Sequence, residues 1–191
     1  MKCSWTDCEH GFHSFKRVRP NKESYRSEWC VKCGTRISDI DWKRLDRRNI
    51  SDVDYTISAL KYEYIRYYFW EEAHIDKRAL NHVLRLGLNA LRPNIVKRLE
   101  GSIGKPSVEL FRDGMQTPLQ GNVIYYAQHG TACCCRKCME EWHGIDHNRS
   151  LKDNEIDYFT ELVLTYVNKK LPHLAANGIF VPRTVHERSK I

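Results

Sequence analysis

Between Cys33 and Cys133 the chain has no cysteine, although its 191 residues hold eight. It also lacks any apolar run approaching the ~18 residues of a spanning helix, so no membrane passage is expected. Its opening residues, MKCSWTDCEHG, lack the basic-then-apolar plan of a secretory signal, and the expected location is the cytoplasm. A reducing compartment disfavours disulfides, so eight cysteines point to metal, with zinc first. Internal repeats and low-complexity tracts are missing, which excludes solenoids and disordered linkers. The chain has no H-x-E with P-C-x-x-C, so it carries no zinc-deaminase signature. The CCCRKC run lacks the βαβ setting of thioredoxin-like chemistry.

Lysine and arginine outnumber aspartate and glutamate by 31 to 24, a formal charge of +7. The surplus is uneven, because residues 1–50 hold 12 basic and 7 acidic side chains while the rest of the chain is close to balance. A basic first quarter of this kind suits phosphate contacts. A zinc ion bound by four thiolates contributes −2, so one such site lowers +7 to +5. The case for nucleic acid therefore rests on where the charge lies.

The fold class expected is α+β and mostly helical, in four stretches: 1–48, 51–104, 105–172 and a tail, 173–191. Residues 1–45 carry Trp5, Phe12, Phe15, Tyr25, Trp29 and Trp42 but few aliphatics, so metal ligation must supply stability that a small core cannot. Ser51 is read as the cap of a long helix over 52–72, with Val53, Ile57, Leu60, Tyr64 and Tyr67 on one face. Its aromatic end, with Arg66, reads as burial between neighbours or, more sharply, as a stacking surface for bases. A second helix is expected over 76–91, with Leu80, Val83, Leu84 and Leu88 inward. Arg92–Pro93 should interrupt it before a further short helix. SVELFRDG and NVIYYAQH read as two short strands around a loop, and 153–171 as the last strong helix, stopped by Pro172.

The first metal site is read from Cys3, Cys8, Cys30 and Cys33. Two short cysteine pairs suit the four-ligand tetrahedron of a zinc ribbon or knuckle, and Gly34 after the second pair can take the positive φ of such a turn. His10 or His13 could replace Cys3 or Cys8. The surrounding basic residues, with Lys16, Arg17, Arg19, Lys43, Arg44, Arg47 and Arg48 foremost, are candidate phosphate contacts. Arg78, Arg85, Arg92, Lys97 and Arg98 follow on the next helix and read as a solvated face unless they align with that module; Arg85 and Arg92 join the candidates.

The second site lies in QHGTACCCRKCMEEWHGI. His129, Cys135, Cys138 and His143 have the chemistry of a tetrahedral zinc site, and Cys134 could replace Cys135 or one histidine. Strand, knuckle and helix in that order suggest a treble-clef-like unit. The run DGMQTPLQGNVIYYAQHGTACCCRKCMEEWHGI also resembles a bacterial domain-of-unknown-function family, number 4186, over about residues 107–171. The family pattern has D-G-x-Q-T-P, then A-Q-H-A-T-A-T-C-C-R-x-C, then W-H-G-I. Here these fall on Asp113, Gly114, Gln116, Thr117 and Pro118, on Ala127 to His129 and Thr131 to Cys138, and on Trp142 to Ile145. Two departures stand out: Cys133 replaces Thr, which makes it the weakest ligand candidate, and Asn122–Val123 replaces His–Pro.

Charge and resemblance together lead to a zinc-stabilised nucleic-acid-binding protein, with about two zinc ions, that binds DNA or RNA and protein partners within a bacterial or phage assembly such as a defence system. Two alternatives remain at this stage. One is a metal-dependent nuclease in which His129 activates water. The other is a protein–protein adaptor docking through the aromatic helix 52–72.

Overall fold

The computed structural model describes residues 5–21, 24–40, 51–61, 63–111 and 113–182. The chain is mostly helical, and its one sheet among the described residues is an antiparallel hairpin, β1 (Lys16–Asn21) with β2 (Ser24–Arg26). Helices α1 (Val53–Leu60), α2 (Tyr64–Tyr67), α3 (Lys77–Ile103), α4 (Val123–Gly130), α5 (Arg136–His143) and α6 (Asp153–Lys170) follow.

Helix α6 is the axis of the core, packing against α3, α4 and α1. Its Ile156, Phe159, Leu162, Val163, Tyr166 and Val167 are all buried, at the i, i+3, i+4, i+7 spacing read from the sequence. They meet Val83, Leu91, Ile95 and Leu99 of α3 and Val123, Ile124 and Ala127 of α4 in one apolar cluster. Leu80, Leu84 and Leu88 pack against its edge.

The expected single helix over 52–72 is divided. Asp52, rather than Ser51, caps α1, with its carboxylate accepting from Tyr55 N at 2.8 Å. The chain leaves the helix after Leu60, and Tyr68–Glu72 winds as a π-helical turn. That wider turn buries Phe69 and Trp70, and Trp70 Nε1 donates to Gly130 O at 3.0 Å. The aromatic faces are thus shared among neighbours.

The break expected at Pro93 falls instead at Gly87, with φ 66° and ψ 172°, a conformation essentially reserved to glycine. A Cβ there would sit 2.4 Å from the Asn177 carbonyl carbon. The tail crosses α3 at this point. Leu88 N and Asn89 N, which the break frees from the helix ladder, donate to Ala175 O and Ala176 O at 3.0 and 2.9 Å, and Ile179 N donates to Leu84 O at 2.8 Å.

The strands expected at SVELFRDG and NVIYYAQH are not formed. Among its described residues the first holds a 3₁₀ turn, Ser107–Glu109, and no strand, and the second is α4. Its β-branched and aromatic residues favour strands, but Val123, Ile124, Ala127 and Gly130 share one helical face, and Asn122 caps it by accepting from Ile124 N at 3.0 Å. Burial of that face against α6 decides the outcome. The C-terminal cysteine unit is therefore helix–turn–helix where strand–turn–helix was expected.

Candidate metal centres

The first centre is built on two tight turns. Cys8 opens a 3₁₀ turn, Cys8–His10, which Gly11 closes at φ 82° inside the Asp7–Phe12 bridge. Cys30 and Cys33 flank a second turn, where Gly34 takes φ 79° and its N–H donates to Cys30 O at 2.9 Å. Cys8, His13, Cys30 and Cys33 each present a ligand atom within 4.8 Å of all the others. His13, one of the alternatives the sequence left open, is among the four. Cys3 itself lies outside the described residues.

The spacing fits a tetrahedral ion. Thiolate bonds of about 2.3 Å give a tetrahedral S–S edge of about 3.8 Å, and a mixed S–N edge of about 3.6 Å. Cys8 Sγ and Cys30 Sγ are 3.8 Å apart, and Cys33 Sγ is 3.3 Å from His13 Nδ1. The four donors differ in electrostatics. The Thr35 hydroxyl, 3.1 Å away, and the Thr35 backbone N–H bring the Cys33 thiol down to about 6. Burial, with Cys33 and Cys30 alongside, pushes Cys8 up to about 12. A bound cation relieves that penalty, since thiolates crowded without a counter-charge repel one another.

The second centre holds three thiols, Cys134, Cys135 and Cys138, again with Sγ atoms within 4.8 Å of one another. All three are buried. Cys135 is the N-cap residue of α5 and Cys138 lies in its first turn. Against a favourable bond from Cys134, the Cys138 thiol and then burial hold the Cys135 thiol well above its usual range. Cys133 turns away into the apolar core, 3.2 Å from Thr131 Oγ1.

The D-G-x-Q-T-P run shapes this turn. Asp113 accepts from Arg136 N at 3.1 Å and from Ser107 Oγ at 2.7 Å, placing a carboxylate at the start of α5. Thr117 Oγ1 donates to Cys134 O at 2.8 Å, and Gln128 Nε2 to Cys133 O at 3.2 Å. Two buried arginines complete the frame, and sequence reading had assigned neither to it. Arg136 donates to Asp146 O and Arg149 O at 2.7 and 2.8 Å, tying α5 to the loop that leads into α6. Arg66, fully buried, pairs with Glu63 at 2.9 Å, donates to His129 O, and reaches Cys138 Sγ at 3.2 Å. Arg136 falls inside the family's C-C-R-x-C run and could have been singled out there. Arg66 gave no signal beyond a lone charge in an aromatic stretch.

Neither histidine read as a ligand joins the three thiols within that distance. His143 is saturated: its Nε2 donates to Thr131 O at 2.9 Å and its Nδ1 faces the Tyr158 hydroxyl at 3.2 Å. Burial holds it neutral, down to about 4. His129 stacks on Phe69 with centroids 5.0 Å apart, and its Nε2 donates to Thr117 O at 3.2 Å. Burial and then Arg66 bring it to about 4, so it too is neutral, and its buried Nδ1 has no hydrogen-bond partner among the described residues.

The two centres adjoin without merging. Phe15, Cys30, Leu60, Ala132, Cys134, Cys135, Cys138 and Trp142 form one apolar cluster, with Cys8, Ile37 and Ile40 at its edge. Phe12 packs on Tyr67 and Tyr64, with centroids 4.8 and 5.6 Å apart, and Trp5 packs on Tyr64 at 5.9 Å. These contacts cover part of the aromatic end of 52–72, where Tyr64, Tyr67 and Tyr68 stay partly exposed, and Arg66 is fully buried beneath it.

Of the candidate phosphate contacts, Lys16, Arg17 and Arg19 lie on β1. Lys43, Arg44, Arg47 and Arg48 fall outside the described residues. Arg85 donates to Val181 O and Pro182 O at 2.9 and 3.1 Å, and Arg92 pairs with Glu161, so both serve intramolecular contacts. No helix among the described residues is long and apolar enough to cross a membrane. In a third group, Glu140, Asp146 and His147, the His147 Nδ1 lies 2.9 Å from Glu140 Oε2.

No solved structure matches the chain. The family described as Domain of unknown function (DUF4186) matches residues 54–168, which takes in α1 to α3 as well as the cysteine run, and the chain belongs to that family.

Proposed function

We propose that this protein is a zinc-stabilised nucleic-acid-binding protein whose cationic arm, β1–β2, is clamped at its base by the first metal centre. One observation carries the reading. The hairpin lies between two ligands of one cluster, His13 before it and Cys30 after it. Ser27 N donates to Phe15 O at 2.6 Å and Val31 N to Ser14 O at 3.3 Å, closing the arm where the ligands stand. Residues 16–26 contain Lys16, Arg17, Arg19, Lys22 and Arg26 against Glu23 alone. A short two-stranded ribbon is marginal in water by itself, so a metal at its base fixes where this charge is presented.

Zinc is the proposed ion for both centres, because thiolate-rich tetrahedral sets suit it and closed sets are mostly structural. For the fourth place of the second centre, His129 is the proposed ligand. Its Nε2–H, bound to a carbonyl, leaves a bare lone pair on Nδ1, the tautomer of a metal-bound histidine held by an outer partner. Arg66 would offset the negative charge of three thiolates there. A nuclease centred on His129 has less support, since a water-activating base must reach solvent and this ring is 6% exposed.

Binding to single- and double-stranded DNA and RNA at ~50 mM salt tests the reading, because phosphate contacts are strongest at low salt. The expected result is salt-sensitive association. Each phosphate contact adds about 0.9 to the slope of log K against log salt on a duplex, so R17E/R19E should flatten that slope by about 2. No association at low salt, or an unchanged slope in the variant, overturns it.

A further inference from the structure

A cleft of about 410 Å³ lies between α3 and the segment, from Pro118 to Tyr125, that enters α4. Arg78, His82 and Arg85 of α3 form one wall; Gln120, Asn122 and Tyr125 face them. The volume falls within the range of small-molecule sites, ~300–1,000 Å³.

The charge in this cleft is unbalanced. Arg78, His82 and Arg85 stand at i, i+4 and i+7, one above another on one helical face. Among the described residues no carboxylate pairs with any of them. Asp76 reaches the cleft-lining Gly121, but its oxygens accept from Gly121 N at 2.6 Å, Tyr126 Oη at 2.9 Å and Ala79 N at 2.9 Å. The tail carbonyls of Val181 and Pro182 hold the Arg85 guanidinium in place without cancelling its charge. His82 is driven toward its neutral form by burial and by Arg85 and Arg78, which shows how closely the three sit. Two guanidinium charges, of which Arg85 is held by the tail, and an imidazole driven toward its neutral form line a recess with amide side chains on its other wall.

We propose that this cleft binds a phosphomonoester, either a mononucleotide or the phosphorylated end of a strand. The charge match carries the choice: a monoester bears close to −2 at neutral pH, and the two arginines supply +2. An internal phosphodiester bears one charge and would leave one arginine unmatched. The site is separate from the hairpin and stands whether or not the arm binds nucleic acid.

Calorimetric titration of the full chain tests it, with adenosine 5′-monophosphate, adenosine and inorganic phosphate as probes. A ten-nucleotide strand with a 5′-phosphate and its 5′-hydroxyl twin complete the set. The monophosphate should bind, adenosine should not, and phosphate should compete. Among the described residues the Arg78 guanidinium has no hydrogen bond or ion pair and only packs near Gly121, so R78A should leave metal content and unfolding midpoint unchanged while weakening the monophosphate roughly tenfold, the loss of one charge-assisted contact. H82A should weaken it in the same direction. Preference for the phosphorylated strand over its twin, lost in R78A, identifies a strand end as the ligand; equal strand binding with retained mononucleotide binding identifies the free nucleotide. Equal binding of phosphorylated and unphosphorylated probes in both pairs, or wild-type affinity in R78A, overturns the proposal. R17E/R19E should not change these titrations, so failure here and failure of the arm are read separately.

Discussion

Arg66 brings a full charge into the buried interior, where an unpaired ion costs several kcal/mol. It is held by Glu63, by the His129 carbonyl and by the Cys138 sulfur, so it joins α2, α4 and the thiol turn of α5. His143 does comparable work as a neutral group, linking the Thr131 carbonyl to Tyr158. Its pH consequence follows from the direction of its shift. An unfolded histidine titrates near 6.5, and burial brings this one to about 4. The unfolded chain therefore binds the proton more readily, so this contribution is complete above 6.5 and falls away as pH drops toward 4. At pH 5 the loss is about 2 kcal/mol. Urea unfolding at pH 7.5 and pH 5 should show H143Q, which keeps one donor and one acceptor, less acid-sensitive than wild type by about that amount. Parallel pH profiles would contradict the assignment.

Among the elements, the α3 break and the tail form one unit. Gly87 frees two backbone N–H groups, and the 173–182 segment supplies their acceptors. Replacing Gly87 with alanine forces a strained φ and drives a methyl into the Asn177–Gly178 backbone, where Gly178 is itself too close to Arg85 O for a side chain. G87A should therefore lower stability by on the order of 3 kcal/mol, read from the denaturant midpoint. A change below about 0.5 kcal/mol, the range of ordinary surface substitutions, would mean that the tail is not seated there. Proline was the visible breaker in this stretch, but Pro93 lies within the second half of α3 while the left-handed glycine carries the bend. Helix α6 was legible because its apolar residues keep one period over its whole length. Helix α4 was not, because a short run rich in Val, Ile and Tyr satisfies strand and helix patterns alike, and only packing against α6 separates them. The cysteine groups were legible from spacing. His13 required knowing that the Asp7–Phe12 bridge turns the chain back toward Cys30, and Arg66 required knowing that α2 faces the thiols.

For the molecule as a whole, cysteines from the two ends of the sequence arrive in one apolar cluster but form two groups, one per end. The first groups the turns that bracket the cationic hairpin; the second seats α5 against α2 and α4. Each group has donor atoms close enough to hold its own ion, and the helical core beside them is built mainly from aliphatic and aromatic side chains with no metal donor required. Removing one ion should therefore leave the other bound. Metal content per intact chain by native mass spectrometry, on the wild type and on Cys30→Ser and Cys138→Ser, tests this most directly. Two ions are expected in the wild type and one in each variant. One ion in the wild type, or loss of both from a single substitution that leaves the chain folded, would contradict it.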